Sequence, residues 1–350
     1  LRGHSTELLC FGNAIVDVFA AVDFTWLDSL GITEAVQHIP YDQARQILET
    51  LRSDSSSGMV LTSGGAAANV AKIAAMLNTK AAFSGCVGND ELAGVLEQEL
   101  STVGVDPLLA KSTGETGLCF AFSSPHETRI AASPGASLEF TETDICEELF
   151  SGAEAVVVDG YLLDRGPLIQ HIMQLASSRG IPVALDAASV FQIREKTEAV
   201  LHYSRNYPLI IFMNADEAIT FYSTIKKSSA RIETASEREK EMLILKEVCP
   251  VLKYMTEGEI FPIIVIKLGG RGAVVLAGGT VYREETFTII PRNTVGAGDA
   301  FCAAFLSAWI RGRSIQECAD LGNRVARQFL EVPGTRIKDG KLKSFAKYFR

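Results

Sequence analysis

Four short apolar runs recur through the middle of the chain: Ala155-Val156-Val157-Val158-Asp159, Ile181-Pro182-Val183-Ala184-Leu185-Asp186, Leu209-Ile210-Ile211-Phe212-Met213 and Ile263-Ile264-Val265-Ile266. They are shorter than a buried helix and lack the apolar–polar alternation of a half-exposed strand. Runs of this kind are strands buried on both faces, which occur where helices cover both sides of a parallel sheet. Helical segments such as Pro167 to Ser178 separate them. The rhythm predicts an α/β fold with a doubly wound, mostly parallel sheet flanked by helices. Leu8-Leu9-Cys10-Phe11 reads as one more buried strand, and its carboxyl end delivers Gly12 and Asn13 into a loop. Ligands of open α/β sheets lie beyond those strand ends.

Near the C-terminus, Asn293-Thr294-Val295-Gly296-Ala297-Gly298-Asp299-Ala300-Phe301 follows the strand-like Phe287-Thr288-Ile289-Ile290-Pro291 and runs into Ala303 to Trp309, whose spacing is helical. The glycines then sit at a helix N-terminus, where free N–H groups and the helix dipole favour an anion. Gly296, Ala297 and Gly298 carry no side chain large enough to hold a phosphate oxygen away. A carboxylate beside an anion site is repelled by its ligand, so Asp299 fits better as a base for a hydroxyl that attacks a phosphoryl group. Taken alone, the same residues also describe a tight turn with an N-terminal aspartate. The third glycine of a dinucleotide fingerprint falls on Phe301, and no Gly-Lys-Ser/Thr follows as a Walker A loop requires.

Upstream, Ser63-Gly64-Gly65 enters a helix over Ala66 to Leu77, and two adjacent glycines suit either a hinge or a plain turn. Asn69, on that helix's first turn, can both donate and accept, and is otherwise a residue of helix starts. Gly12-Asn13-Ala14-Ile15-Val16-Asp17, Asn214-Ala215-Asp216-Glu217, Lys267-Leu268-Gly269-Gly270-Arg271-Gly272 and Asn323 complete an ordered set. Taken together, these motifs resemble the signatures of the ribokinase family of sugar and nucleoside kinases, also called the phosphofructokinase-B family. The match extends over nearly the whole chain.

The resemblance implies a single ribokinase-like domain over residues 8–350 with a small β-sheet lid, its strands inserted at about 18–40 and 116–135. Val18 to Val22, Ala35 to Ile39, Gly117 to Phe122 and Thr128 to Ala132 have the strand character required, although an antiparallel extension of the main sheet fits them too. It further implies ATP and Mg²⁺, allows a monovalent cation, and points to transfer of the γ-phosphoryl group to a hydroxymethyl oxygen. Asp299 is the implied base, with the backbone of Gly296, Ala297 and Gly298 around the transferred group. Asn13, Asp17, Gly64, Gly65, Asn69 and Arg129 are implied at the acceptor. Thr294, Asn214, Lys267, Gly269, Gly272 and Asn323 are implied at the nucleotide, and Glu217 at the metal through water.

Plainer roles exist for several of these: a solvated loop carboxylate for Asp17, a lid ion pair with Glu127 for Arg129, a first-turn acid complementing the helix dipole for Glu217. Many relatives carry Thr where Lys267 stands and Asp where Asn293 stands. The second change keeps a sensor without catalysis on the same fold as an alternative, and retention of Asp299 argues against it. For the acceptor, Gly12 to Asp17, Thr116 to Cys119, Arg129 and Gly160 to Asp164 look closest to adenosine-kinase-type members. A nucleoside is therefore favoured over ribose, fructose or a sugar acid. Phe120 and Phe122 read either as faces for a purine or as lid core.

Bulk properties narrow the classes. Net charge is -9 without a basic aromatic patch, which disfavours nucleic acid, and no apolar run is long enough to span a bilayer. Seven scattered cysteines without a Cys-x-x-Cys pair, and five histidines without metal spacing, argue against zinc or redox chemistry. The expectation is a cytoplasmic enzyme acting on a small molecule, monomeric or homodimeric.

Overall fold

The computed structural model describes residues 6–54, 57–124, 128–228, 235–257, 262–287, 296–330 and 345–349. The chain starts with β1 (Leu8–Phe11), then leaves the main body for β2 (Ile15–Ala21), the short helix α1 (Phe24–Ser29), β3 (Val36–His38), the amphipathic α2 (Tyr41–Ser53) and β4 (Val60–Gly64). Helix α3 (Ala66–Met76) returns to the body through β5 (Ala81–Val87), α4 (Glu91–Thr102) and β6 (Asp106–Lys111). A second excursion forms β7 (Thr116–Ser123) and β8 (Thr128–Gly135). The regular alternation follows: β9 (Ala155–Asp159), α5 (Gly166–Ser177), β10 (Val183–Asp186), α6 (Val190–Asn206), β11 (Leu209–Asn214) and α7 (Ala215–Lys226). Two short helices, α8 (Glu237–Leu243) and α9 (Cys249–Lys253), precede β12 (Ile263–Lys267), β13 (Ala273–Ala277) and β14 (Thr280–Glu284). The long helices α10 (Ala297–Ile310) and α11 (Ile315–Leu330) come last.

Among the described residues, nine strands form one sheet in the order β14-β13-β12-β11-β10-β9-β1-β5-β6. It is parallel from β12 to β6, and β13 and β14 close one edge antiparallel. Successive residues enter opposite cores: Cys10, Ile263 and Val265 face the side covered by α3, α10 and α11, whereas Leu9, Phe11, Ile264 and Ile266 face the side covered by α5 to α9. This two-sided burial is why the strands read as unbroken apolar runs. Phe305 of α10 sits edge-on to Phe212 of β11 at 5.4 Å and is fully buried. Truncating such a ring to Ala costs about 3–5 kcal/mol.

The lid stands as a separate five-stranded sheet, β3-β8-β7-β2-β4, and is not an extension of the main one. Its register sorts its side chains. Ile15, Asp17 and Phe19 share a face with Cys119, Ala121, Ile130 and Ala132, while Val16, Val18, Phe120, Phe122, Ala131 and Arg129 share the other. The second face is covered: Phe120 and Phe122 stack at 5.5 Å, and Trp26 of α1 meets Phe122 edge-on. Both phenylalanines are fully buried, so they are lid core and offer no face to a purine. Strand β4 belongs to this sheet as well and ends on Gly64, where the sequence suits only a hinge or a turn. The strand expected at Phe287 to Pro291 lies, apart from Phe287, outside the described residues.

Candidate active site

The carboxyl ends of β1, β9, β10, β11 and β12 end on Gly12-Asn13, Asp159, Asp186, Asn214 and Lys267. Register aligns these ends, pairing Asp186 with Asp159 and Asn214 with Lys267. Above them stand the N-termini of α3 and α10, which pack against each other.

At the first turn of α10, Gly296 takes the N-cap position at φ 80°, a left-handed conformation that a side chain would strain. The N–H groups of Ala297, Gly298 and Asp299 then lie in the turn that lacks intrahelical acceptors. Asp299 Oδ2 accepts from Asn69 Nδ2 of α3 at 3.0 Å, which joins the two helix starts. Burial, with Asp186 adding like charge, raises the Asp299 carboxyl to about 6. Beside this turn, Lys267 Nζ lies 3.0 Å from Asp186 Oδ2, and a Cβ built on Gly298 would meet the same ammonium at 3.3 Å. A cation therefore sits at the edge of the prospective anion site. Asp186 is held below the usual carboxylate range: burial opposes this, but the ammonium and the Ala188 N–H outweigh it.

On the lid side, a Cβ on Gly64 would run into the Asp17 carboxylate, and one on Gly65 (φ 94°) would strike the Asn13 carbonyl. These contacts bring Asn13, Asp17, Gly64, Gly65 and Asn69 around one cleft shared with Asp299. Asp17 is a cleft carboxylate and not a solvated loop acid. Burial raises it to about 7, against the pull of Lys72 and with the Asp299 charge adding to the rise. Lys72 itself is buried, its Nζ donating to Ser63 O at 2.5 Å.

Several residues at the site carried no motif. Arg165 donates through Nη2 to Asn13 Oδ1 at 2.7 Å and through Nη1 to Ser137 O at 2.6 Å, which orients the Asn13 carboxamide. Asp159 is buried beneath Gly12 and raised to about 7, chiefly by burial. The available signal was position alone: Asp159 and Asp186 are polar residues that close otherwise apolar strands at the ligand-binding end.

Arg129 is not brought to this cleft. It lies on the covered face of the lid, donates to Asp28 Oδ1 and Ile32 O, and stacks over Phe24 at 4.6 Å. Its expected place at the acceptor is corrected accordingly: strand parity turns it away from Asp17. Its other expected partner, Glu127, lies outside the described residues, as do Thr294 and Asn293.

On the other side of Lys267, a cavity of about 290 Å³ is bounded by Gly269, Gly272, Ala297, Gly298 and Asn323. Most of the residues assigned to the nucleotide thus share one space. Asn214 and Glu217 form a reciprocal cap of α7: Glu217 N donates to Asn214 Oδ1 at 2.9 Å, and the Glu217 carboxylate accepts from Asn214 N at 2.7 Å and Nδ2 at 2.8 Å. Burial raises Glu217 to about 7. Each oxygen keeps a second lone pair, which an ordered water can donate to. Among the described residues no group of three His, Cys, Asp or Glu side chains is arranged to hold a metal ion directly. The donor set suits a cation that arrives with phosphates and keeps its water.

Residues 27–340 match the pfkB family carbohydrate kinase profile. Adenosine kinase of Dictyostelium discoideum is 24% identical over 353 residues, covering 95% of this chain and 96% of that protein. The 5-dehydro-2-deoxygluconokinase of Clostridium beijerinckii is 27% identical over 276 residues, covering 75% of this chain and 76% of the other. Among solved structures, adenosine kinase from Sinorhizobium meliloti superposes with a TM-score of 0.79 at 24% identity over 99% of both chains, a likeness of fold.

Proposed function

The chain belongs to the pfkB family of carbohydrate kinases and is a phosphotransferase acting on an alcohol group, and from that premise we propose that it carries the γ-phosphoryl group of ATP to the hydroxymethyl oxygen of a nucleoside, adenosine being favoured. The observation that carries this reading is the placement of Asp299. It stands on the first turn of α10, bonded to Asn69, in a cleft that also holds Asn13 and Asp17.

The acceptor hydroxyl gives its proton to Asp299 as its oxygen attacks the γ-phosphorus. The bond from that phosphorus to the bridging oxygen breaks, and ADP leaves. First-turn N–H groups of α10 and the Lys267 ammonium stabilise the charge spread over the transferred group. Glu217 and Asn214 would hold the water of a Mg²⁺ ion bound with the nucleotide, which would supply further neutralisation. Asp17 accepts from sugar hydroxyls, and the Arg165-held Asn13 fixes the acceptor's orientation.

Two features support a nucleoside over a small sugar. Beyond Asp17, the cleft face of the lid continues as Phe19, Ala121 and Ile130, all half-buried, which offers an apolar surface for a base. Similarity to the Dictyostelium adenosine kinase also covers 95% of this chain and 96% of that protein. The gluconokinase likeness favours a sugar acid as the second reading. Such an acceptor brings its own carboxylate into a cleft already holding Asp17, Asp159 and Asp299.

A coupled ADP-release assay over nucleosides, neutral sugars and sugar acids tests the proposal. Adenosine should give the highest kcat/KM. Turnover confined to sugars would install the second reading, and ligand binding without ADP from any acceptor would end the kinase reading.

A further inference from the structure

Helix α8 bears two consecutive side chains that bind partners on separate elements, one on α7 and one on the β12–β14 segment that carries the glycine loop. Lys240 Nζ reaches Asp216 Oδ1 at 2.8 Å, beside Glu217 on the first turn of α7. Glu241, 7% exposed, takes two guanidiniums: Arg271 Nε on one oxygen, and Arg283 Nη2 on the other at 2.5 Å.

Both partners belong to segments that flank the cavity. Arg271 lies inside the tight loop between β12 and β13, which Leu268 N–H closes onto Gly272 O at 2.7 Å. Gly269 and Gly272, on either side of it, line the cavity, while Arg271 itself turns to α8. Gly272 is at φ 87° and so close to β14 that an added Cβ would overlap the Glu284 carbonyl. Arg283 in turn donates through Nη1 to that carbonyl at 2.6 Å, and the same oxygen accepts from Asn323 Nδ2 at 3.4 Å. One carboxylate thus fixes the glycine loop through Arg271 and the Asn323 wall through Arg283 and Glu284.

We propose that Glu241 is a positioning residue for the nucleotide, setting the spacing between the Gly269–Gly272 loop and Asn323 from outside the cavity. The role rests on the nucleotide reading of that cavity. Removing the charge leaves two guanidiniums facing each other, and their repulsion drives apart the walls they hold. Asn13, Asp17 and Asn69 belong to other elements, so acceptor binding is untouched.

Two variants test this, Glu241→Gln and Arg271→Met. The second removes a side chain that is 44% exposed and leaves the Arg283 pair in place, so it remains informative if the first fails to fold. Calorimetric affinity for a non-hydrolysable ATP analogue should weaken roughly tenfold for Glu241→Gln and by less for Arg271→Met, a cost typical of lost supporting contacts. The acceptor KM and kcat at saturating ATP should stay within about twofold of wild type. Glu241→Asp should recover part of the affinity. Variants that bind the analogue as wild type does, or that lose nucleotide affinity, acceptor affinity and kcat together, would overturn the role of Glu241. A wild-type chain with no affinity for the analogue would overturn the nucleotide reading along with it.

Discussion

Asp299 meets conflicting electrostatic demands. Burial and the Asp186 charge raise its carboxyl to about 6, whereas the Asn69 amide and the Lys267 and Lys72 ammoniums favour its ionised form. A base must be unprotonated to accept the hydroxyl proton, so kcat/KM should fall as pH drops below about 6, in a limb owned by the free enzyme. Asp186→Asn removes a repelling charge and leaves Lys267 uncompensated; both changes lower the Asp299 pKa, so the limb should move to lower pH. A limb that stays in place would show that another group sets it. Asp299→Asn should reduce kcat by on the order of 10²–10⁴ with nucleotide affinity retained, as measured by single-turnover kinetics and calorimetry.

The lid shows how an element's sidedness assigns roles that residue type cannot. The family resemblance implies Arg129 at the acceptor. Pairing with Phe122 places it on the face packed by α1, where Asp28, Ile32 and Phe24 engage it. Arg129→Met should therefore speed amide exchange in β8 and α1 and leave the acceptor KM at the wild-type value. A large rise in acceptor KM with unchanged exchange would restore the ligand role. At the turn into α3, Gly65 combines a positive φ with contact to the Asn13 carbonyl, so both the conformation and the space there require glycine.

Across the molecule, Asp17, Asp159, Glu217 and Asp299 are all raised to about 6 or 7, chiefly by burial. A carboxyl raised on folding favours the native state when protonated; that stability is complete below its unfolded pKa near 4 and is lost as pH rises through the folded value. Asp90 and Asp186 are lowered and act in the opposite sense, but only as pH falls toward about 4 and below. The ligand-free protein should thus melt at a lower temperature at pH 8 than at pH 5.5, and equal melting temperatures would contradict this burial. The sequence alone determined what depends on neighbours along the chain: the two-sided strands, the helix starts, and the ordered glycine motifs that resemble one family. At one such start, Asp90 caps α4 by accepting from Ala93 N–H at 2.9 Å. Only tertiary structure decided that Asp159, Asp186, Arg165 and Lys72 meet near Asp299, and that Arg129 faces away. Strand parity and the convergence of strand ends are set by how sheets pack, an interaction between residues far apart in the chain that no local pattern encodes.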